Sequence, residues 1–134
     1  MKTLLIALLL ASSLSHAGEH KLGFGLFTEH YISDKRDYNE NNRLISYTYV
    51  NNSRYTFTAA IFENSHYIDS QILSFGYEFD FGAGVTISAI KGYEGYFKTH
   101  YEGVIFAPVF YFETYGFRHT IMGPAYNLAY VFTF

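Results

Sequence analysis

The chain contains no cysteine and no tryptophan, and only two prolines in 134 residues. Without cysteine there is no disulfide, the usual means by which a small exported domain offsets a small core. Any stabiliser of an exported form must therefore come from elsewhere. Basic residues are also few: nine Lys and Arg stand against 12 Asp and Glu, for a net charge of −3. That balance argues against a nucleic-acid partner, which requires a basic face. Beyond the first residues no run of 18 apolar residues occurs, which excludes a transmembrane helix. Histidines are scattered (His20, His30, His66, His100, His119) and none has metal-ligand spacing, so neither a metal nor another cofactor is expected.

What is present is a leader and a large number of aromatics. Residues 1–17, MKTLLIALLLASSLSHA, have a positive Lys2, a short apolar stretch and a small-x-small end at Ser15-His16-Ala17. They read as a secretory signal peptide, with a core too short to anchor the chain in a bilayer. Residues 18–134 then form one domain. All 14 Tyr and 14 Phe fall in it. Its hydrophobicity alternates instead of running on, the pattern of an outer-membrane β-barrel whose strands face lipid on one side and a lumen on the other. The C-terminus, AYNLAYVFTF, puts Tyr126, Leu128, Tyr130, Phe132 and Phe134 on one face. A last strand that alternates in this way and ends on Phe resembles the sorting signal of bacterial outer-membrane barrels.

Eight strands are expected, over residues 21–31, 43–50, 54–63, 70–81, 84–91, 103–112, 117–122 and 125–134. The fold class is thus all-β, an eight-stranded antiparallel transmembrane barrel. An even strand number allows closure, and closure pairs every backbone group and leaves no edge. With both termini at the periplasmic end, the longer connectors 32–42, 64–69 and 92–102 all fall at the outer end, as barrel topology requires. Inward parity gives Gly23, Gly25, Thr56, Thr58, Ala60, Ser74 and Gly76, all small. A barrel this narrow is either filled or holds one small ligand. Near the periplasmic end Arg54 shares inward parity with Glu78 and Asp80, and an ion-pair plug is expected there.

One ordered set of residues resembles the lipid A palmitoyltransferase (PagP) family: His30, Tyr38-Asn39-Glu40, Phe62-Glu63-Asn64-Ser65 and Phe75-Gly76-Tyr77-Glu78. The resemblance covers most of the chain after the leader and is densest between His30 and Glu78. It implies an outer-membrane enzyme that moves an acyl chain from the sn-1 position of a phospholipid donor to a lipid A (lipopolysaccharide) acceptor. Carried over, His30 is the base or acid, Ser65 the hydroxyl it works with, Asn64 the residue in the place of the family's Asp, and Gly76 the floor of the acyl pocket. The chain departs from the family at Asn64, in a shorter first loop, and in lacking a helix before the barrel. Strict alternation would also turn His30 outward, so a bulge must turn it in. A monomer is expected.

Other readings of the residues remain. His66 adjoins Ser65, and Asp69-Ser70 is a second acid–hydroxyl pair. A lipid A deacylase would need a hydroxyl two residues after a late His, and Ile121 stands two after His119. A non-enzymatic structural or adhesive outer-membrane barrel would show a lumen filled by polar side chains.

Overall fold

The computed structural model describes residues 18–31, 38–41, 43–93 and 103–134. The leader and most of the first and third long loops lie outside the described residues. Eight strands follow in chain order: β1 (Gly18–His30), β2 (Ile45–Asn51), β3 (Tyr55–Glu63), β4 (Asp69–Glu78), β5 (Ala83–Lys91), β6 (Val104–Thr114), β7 (Phe117–Met122) and β8 (Ala125–Thr133). Each pairs antiparallel with the next, and β8 returns to β1, giving a closed barrel. The seam runs from Lys21↔Thr133 to His30↔Ala125. The expected architecture is the observed one, with strand ends shifted by a few residues. β1 begins three residues earlier, at Gly18, and β4 stops three earlier, at Glu78, because the Phe79 and Gly82 amides turn the chain toward β5.

Period-two alternation decides which side chains meet. Phe24, Phe57, Phe75, Phe110 and Phe132 stand on the outer wall, each about half exposed. Thr48, Thr56, Ser88 and Ala129 on the opposite parity are buried in the lumen. The barrel is therefore inside out relative to a water-soluble one, with large apolar groups outside and small or polar ones within.

Its lower end, at the short turns, is closed by charge. Glu78, 1 % exposed, accepts hydrogen bonds from Lys21 Nζ at 2.8 and 2.9 Å and from the Tyr111 hydroxyl at 2.9 Å. Arg54 pairs with it from the β2–β3 turn. Glu113 receives Lys21 at 2.9 Å and also pairs with Arg118, whose guanidinium lies 4.5 Å over the Tyr111 ring. The expected plug is present and larger than Arg54 and Glu78 alone. Asp80 is the exception: it sits 97 % exposed in the β4–β5 turn, 3.6 Å from Arg54, outside the buried cluster. Removing one member of such a cluster leaves the others as uncompensated buried charge. Glu78→Ala should therefore cost about 3 kcal/mol or more, read as a lower urea midpoint for loss of heat-modifiable gel mobility. Asp80→Ala should leave that midpoint unchanged, and equal effects from the two would contradict the account.

Candidate active site

His30 reaches the lumen because β1 carries one extra residue. Its register against β8 is Gly25↔Ala129 and then Phe27↔Leu128, so Leu26 is unpaired. Leu26 and Phe27 both point outward, and inward parity passes from Gly23 and Gly25 to Thr28 and His30. A bulge of this kind re-aims a side chain without breaking the sheet. Asn127 braces it, donating to Phe27 O at 3.1 Å and Thr28 Oγ1 at 2.9 Å.

Turned inward, His30 places Nε2 2.7 Å from Ser65 Oγ. The two come from different walls, the end of β1 and the loop between β3 and β4. Ser65 is held by Asn64, which is fully buried at 0 % exposure. Asn64 Oδ1 accepts the His66 and Ile68 amides at 2.8 and 3.2 Å. Its Nδ2 donates to Gly92 O at 2.7 Å and Ser70 Oγ at 3.0 Å. Its backbone amide and carbonyl pair with Ile68 and Tyr67, closing a turn in which Tyr67 takes φ 61°. Asn64 is thus the hub of the serine loop and makes no hydrogen bond to His30. Ser70 belongs to the same hub and donates to Ile68 O at 3.1 Å, while Asp69 is exposed. His66 turns away from Ser65 and meets Tyr38 and Tyr93 edge-on.

Below the pair lies a cavity of about 120 Å³. Phe62, Ile72, Leu44 and Met122 line its upper part, and Tyr111 and Arg118 close it above the ion cluster. Deeper hydroxyls satisfy one another, Ser74 with Ser88 at 2.6 Å and Thr48 with Thr58 at 2.8 Å. Tyr93 lines the mouth, where its phenol hydrogen-bonds both the side chain and the backbone of Ser65. Burial pushes the Tyr93 phenol pKa up, so it keeps its proton. Gly76 is not a lining residue. A Cβ there would overlap the Val85 carbonyl and Thr86 Cα, so glycine is what lets β4 and β5 approach. A side chain at 76 would part those strands before it could shorten the cavity. His119 stands on the outer wall, bonded to the Tyr126 hydroxyl at 2.7 Å and stacked on Phe112.

Among the described residues, the strand pairing beside the cavity is incomplete. Residues 104–108 of β6 pair with β5, whereas pairing with β7 begins only at Val109↔Met122. Pro108, which has no amide to offer, occupies that unpaired stretch. Between β1 and β2 regular pairing stops at Phe24↔Ile45.

Tyr93, Tyr111 and Arg118 were not singled out in the sequence for this site. Nothing in a single chain with 14 tyrosines marks two of them. No known protein family matches the chain, and no curated protein matches it. What the residues define is a closed eight-stranded antiparallel barrel with a histidine–serine pair at the mouth of its lumen.

Asn64→Asp would set a carboxylate oxygen against the Gly92 carbonyl and remove both Nδ2 donors. Leaving buried groups unsatisfied in this way costs about 3 kcal/mol. The variant should unfold at clearly lower urea than the wild type by gel mobility. An unchanged midpoint would show that Asn64 is not the hub described.

Proposed function

We propose that the protein is an outer-membrane acyltransferase, moving a fatty acyl chain from a phospholipid to lipid A. The observation that carries this reading is the 2.7 Å contact of His30 Nε2 with Ser65 Oγ at the mouth of a largely apolar cavity. An aromatic outer wall suits a bilayer, and the open stretch of β6 offers a lipid a sideways route to the serine.

In this reading Ser65 Oγ attacks the ester carbonyl of the donor as its proton passes to His30 Nε2. The tetrahedral intermediate collapses, the acyl–oxygen bond of the donor breaks, and the departing alkoxide takes that proton to leave as a lysophospholipid. A hydroxyl of the acceptor then gives its proton to His30 and attacks the acyl–serine ester. Ser65 leaves with the proton returned, and the acylated acceptor departs. Tyr93, protonated beside Ser65, is the side-chain donor placed to meet the developing oxyanion.

Cavity size bears on the chain chosen. A void of roughly 150 Å³ holds one benzene, so about 120 Å³ admits roughly five carbons of a chain end. The paired hydroxyls and ion cluster below favour a second reading, a structural barrel with a filled lower lumen.

Mass spectrometry of lipid A from cells producing the folded protein separates the two. The enzyme reading expects an added acyl chain, lost by a hundredfold or more in His30→Ala and Ser65→Ala with gel mobility kept. Ala60→Met, which fills the upper cavity, should shorten the chain transferred. Unmodified lipid A in the presence of folded wild type would leave the structural barrel as the better account.

A further inference from the structure

A serine–histidine pair ordinarily needs a third group to hold the imidazole, most often a carboxylate on the ring nitrogen facing away from the serine. Here that atom, His30 Nδ1, is buried and has no hydrogen-bond partner among the described residues. The residue that stands in place of the family's Asp is occupied in the serine loop. Something else must fix the ring, because an imidazole bonded at one nitrogen only can still swing about that bond.

The face of the ring is where the contact lies. Tyr38 packs against His30 with centroids 4.6 Å apart and planes 18° from parallel. Tyr38 is itself tied down by its neighbours. Asn39, 4 % exposed, donates its amide to Ser65 O at 3.0 Å. Its side chain donates to Glu63 Oε1 at 2.9 Å and Asn64 O at 3.3 Å, and accepts the Asn41 amide at 3.0 Å. On the other side Glu40 O accepts the Thr28 amide at 2.8 Å. The segment Tyr38-Asn39-Glu40 is therefore a strap from β1 to the serine loop, and it lays one aromatic face on the histidine. The edge of His66 packs behind Tyr38 and in turn meets Tyr93.

We infer that Tyr38 is the positioning residue of the His30–Ser65 pair and takes the part a carboxylate plays elsewhere. Two physical effects support it. Stacking holds the ring plane so that Nε2 stays aimed at Ser65 Oγ. When His30 takes up the serine proton it becomes a cation, and the negative face of the phenol ring stabilises it. The Glu40 carboxylate acts on His30 through space but makes no hydrogen bond to Nδ1, which leaves the orientation of the ring to the face of Tyr38. The inference rests on the acyl-transfer reading only in taking Ser65 as a nucleophile, and it does not depend on the donor or the acceptor.

The test is the rate at which the full-length barrel, refolded in detergent micelles, is labelled by a fluorophosphonate, which reports a base-activated serine. Ser65→Ala and His30→Ala should abolish labelling. Tyr38→Leu, which keeps bulk without a π face, should slow it roughly ten- to thirtyfold. Tyr38→Phe, which keeps the face, should stay within about twofold of wild type. Heat-modifiable mobility shows that each variant is folded. A merely structural role would not separate Leu from Phe. Tyr38→Leu labelling at the wild-type rate, or Phe falling as far as Leu, overturns the inference and leaves the serine–histidine pair standing. Folded wild type that is not labelled removes the activated serine, and the inference goes with it.

Discussion

The structure depends on closure around a lumen of fixed width. Eight short strands leave room inside for about one layer of small side chains, so every second residue must be small or fully paired. The consequences run along the whole chain. Through the middle of the barrel large apolar residues are forced outside, and the inside carries mostly glycine, alanine, serine and threonine. The few long side chains that do point in have to form one another's partners. Lys21, Glu78, Tyr111, Glu113 and Arg118 do so at the lower end, as one connected set. The same closure supplies the stability that cysteine would otherwise provide, because β8 hydrogen-bonds back to β1 and the sheet has no free first or last strand.

That constraint also explains where the cavity sits. With the floor taken by charge, the space for a ligand lies above it, walled in the middle by paired hydroxyls and apolar at the top. It is there that Phe62, Ile72, Leu44 and Met122 gather. The wall is thinnest at the same level, where residues 104–108 stand beside the low β7–β8 hairpin. An apolar space, an unpaired stretch of β6 among the described residues and a histidine–serine pair above thus follow from one distribution of space along the barrel axis.

Parity made most of the fold legible in the sequence. A period of two with aromatics on one side, interrupted by Asn51-Asn52-Ser53, Gly82-Ala83 and Glu113–Gly116, is enough to order the strands, and the ends came within a few residues of their observed positions. Arg54 and Glu78 were legible as floor residues for the same reason, but Asp80 was not, because parity cannot say where a strand yields to a turn. The candidate site was legible in part. His30 and Ser65 stand out through a resemblance, and parity alone pointed His30 the wrong way. The cure, an unpaired Leu26, has no composition of its own: an extra leucine in a row of apolar residues looks like a strand. Asn64 read as the residue standing in place of an acid beside the histidine, whereas its side-chain donors go to Gly92 O and Ser70 Oγ and hold the serine loop. Gly76 read as a cavity floor, whereas its missing side chain serves the approach of β4 to β5. Tyr38 and Tyr93 act through tertiary contacts made from loops, which local pattern does not encode.

The bulge at Leu26 lies in the seam that joins the first strand to the last, and this ties the site to the order of assembly. His30 is held in line by Ala125 across that seam, and the next amide, Tyr31, is bonded to Pro124 O at 2.9 Å. Until β8 has been made and has come round to β1, the seam side of the bulge is unsupported, and only the Glu40–Thr28 bond and the face of Tyr38 act on that end of β1. The geometry that sets His30 against Ser65 is therefore complete only once the first and last strands have met.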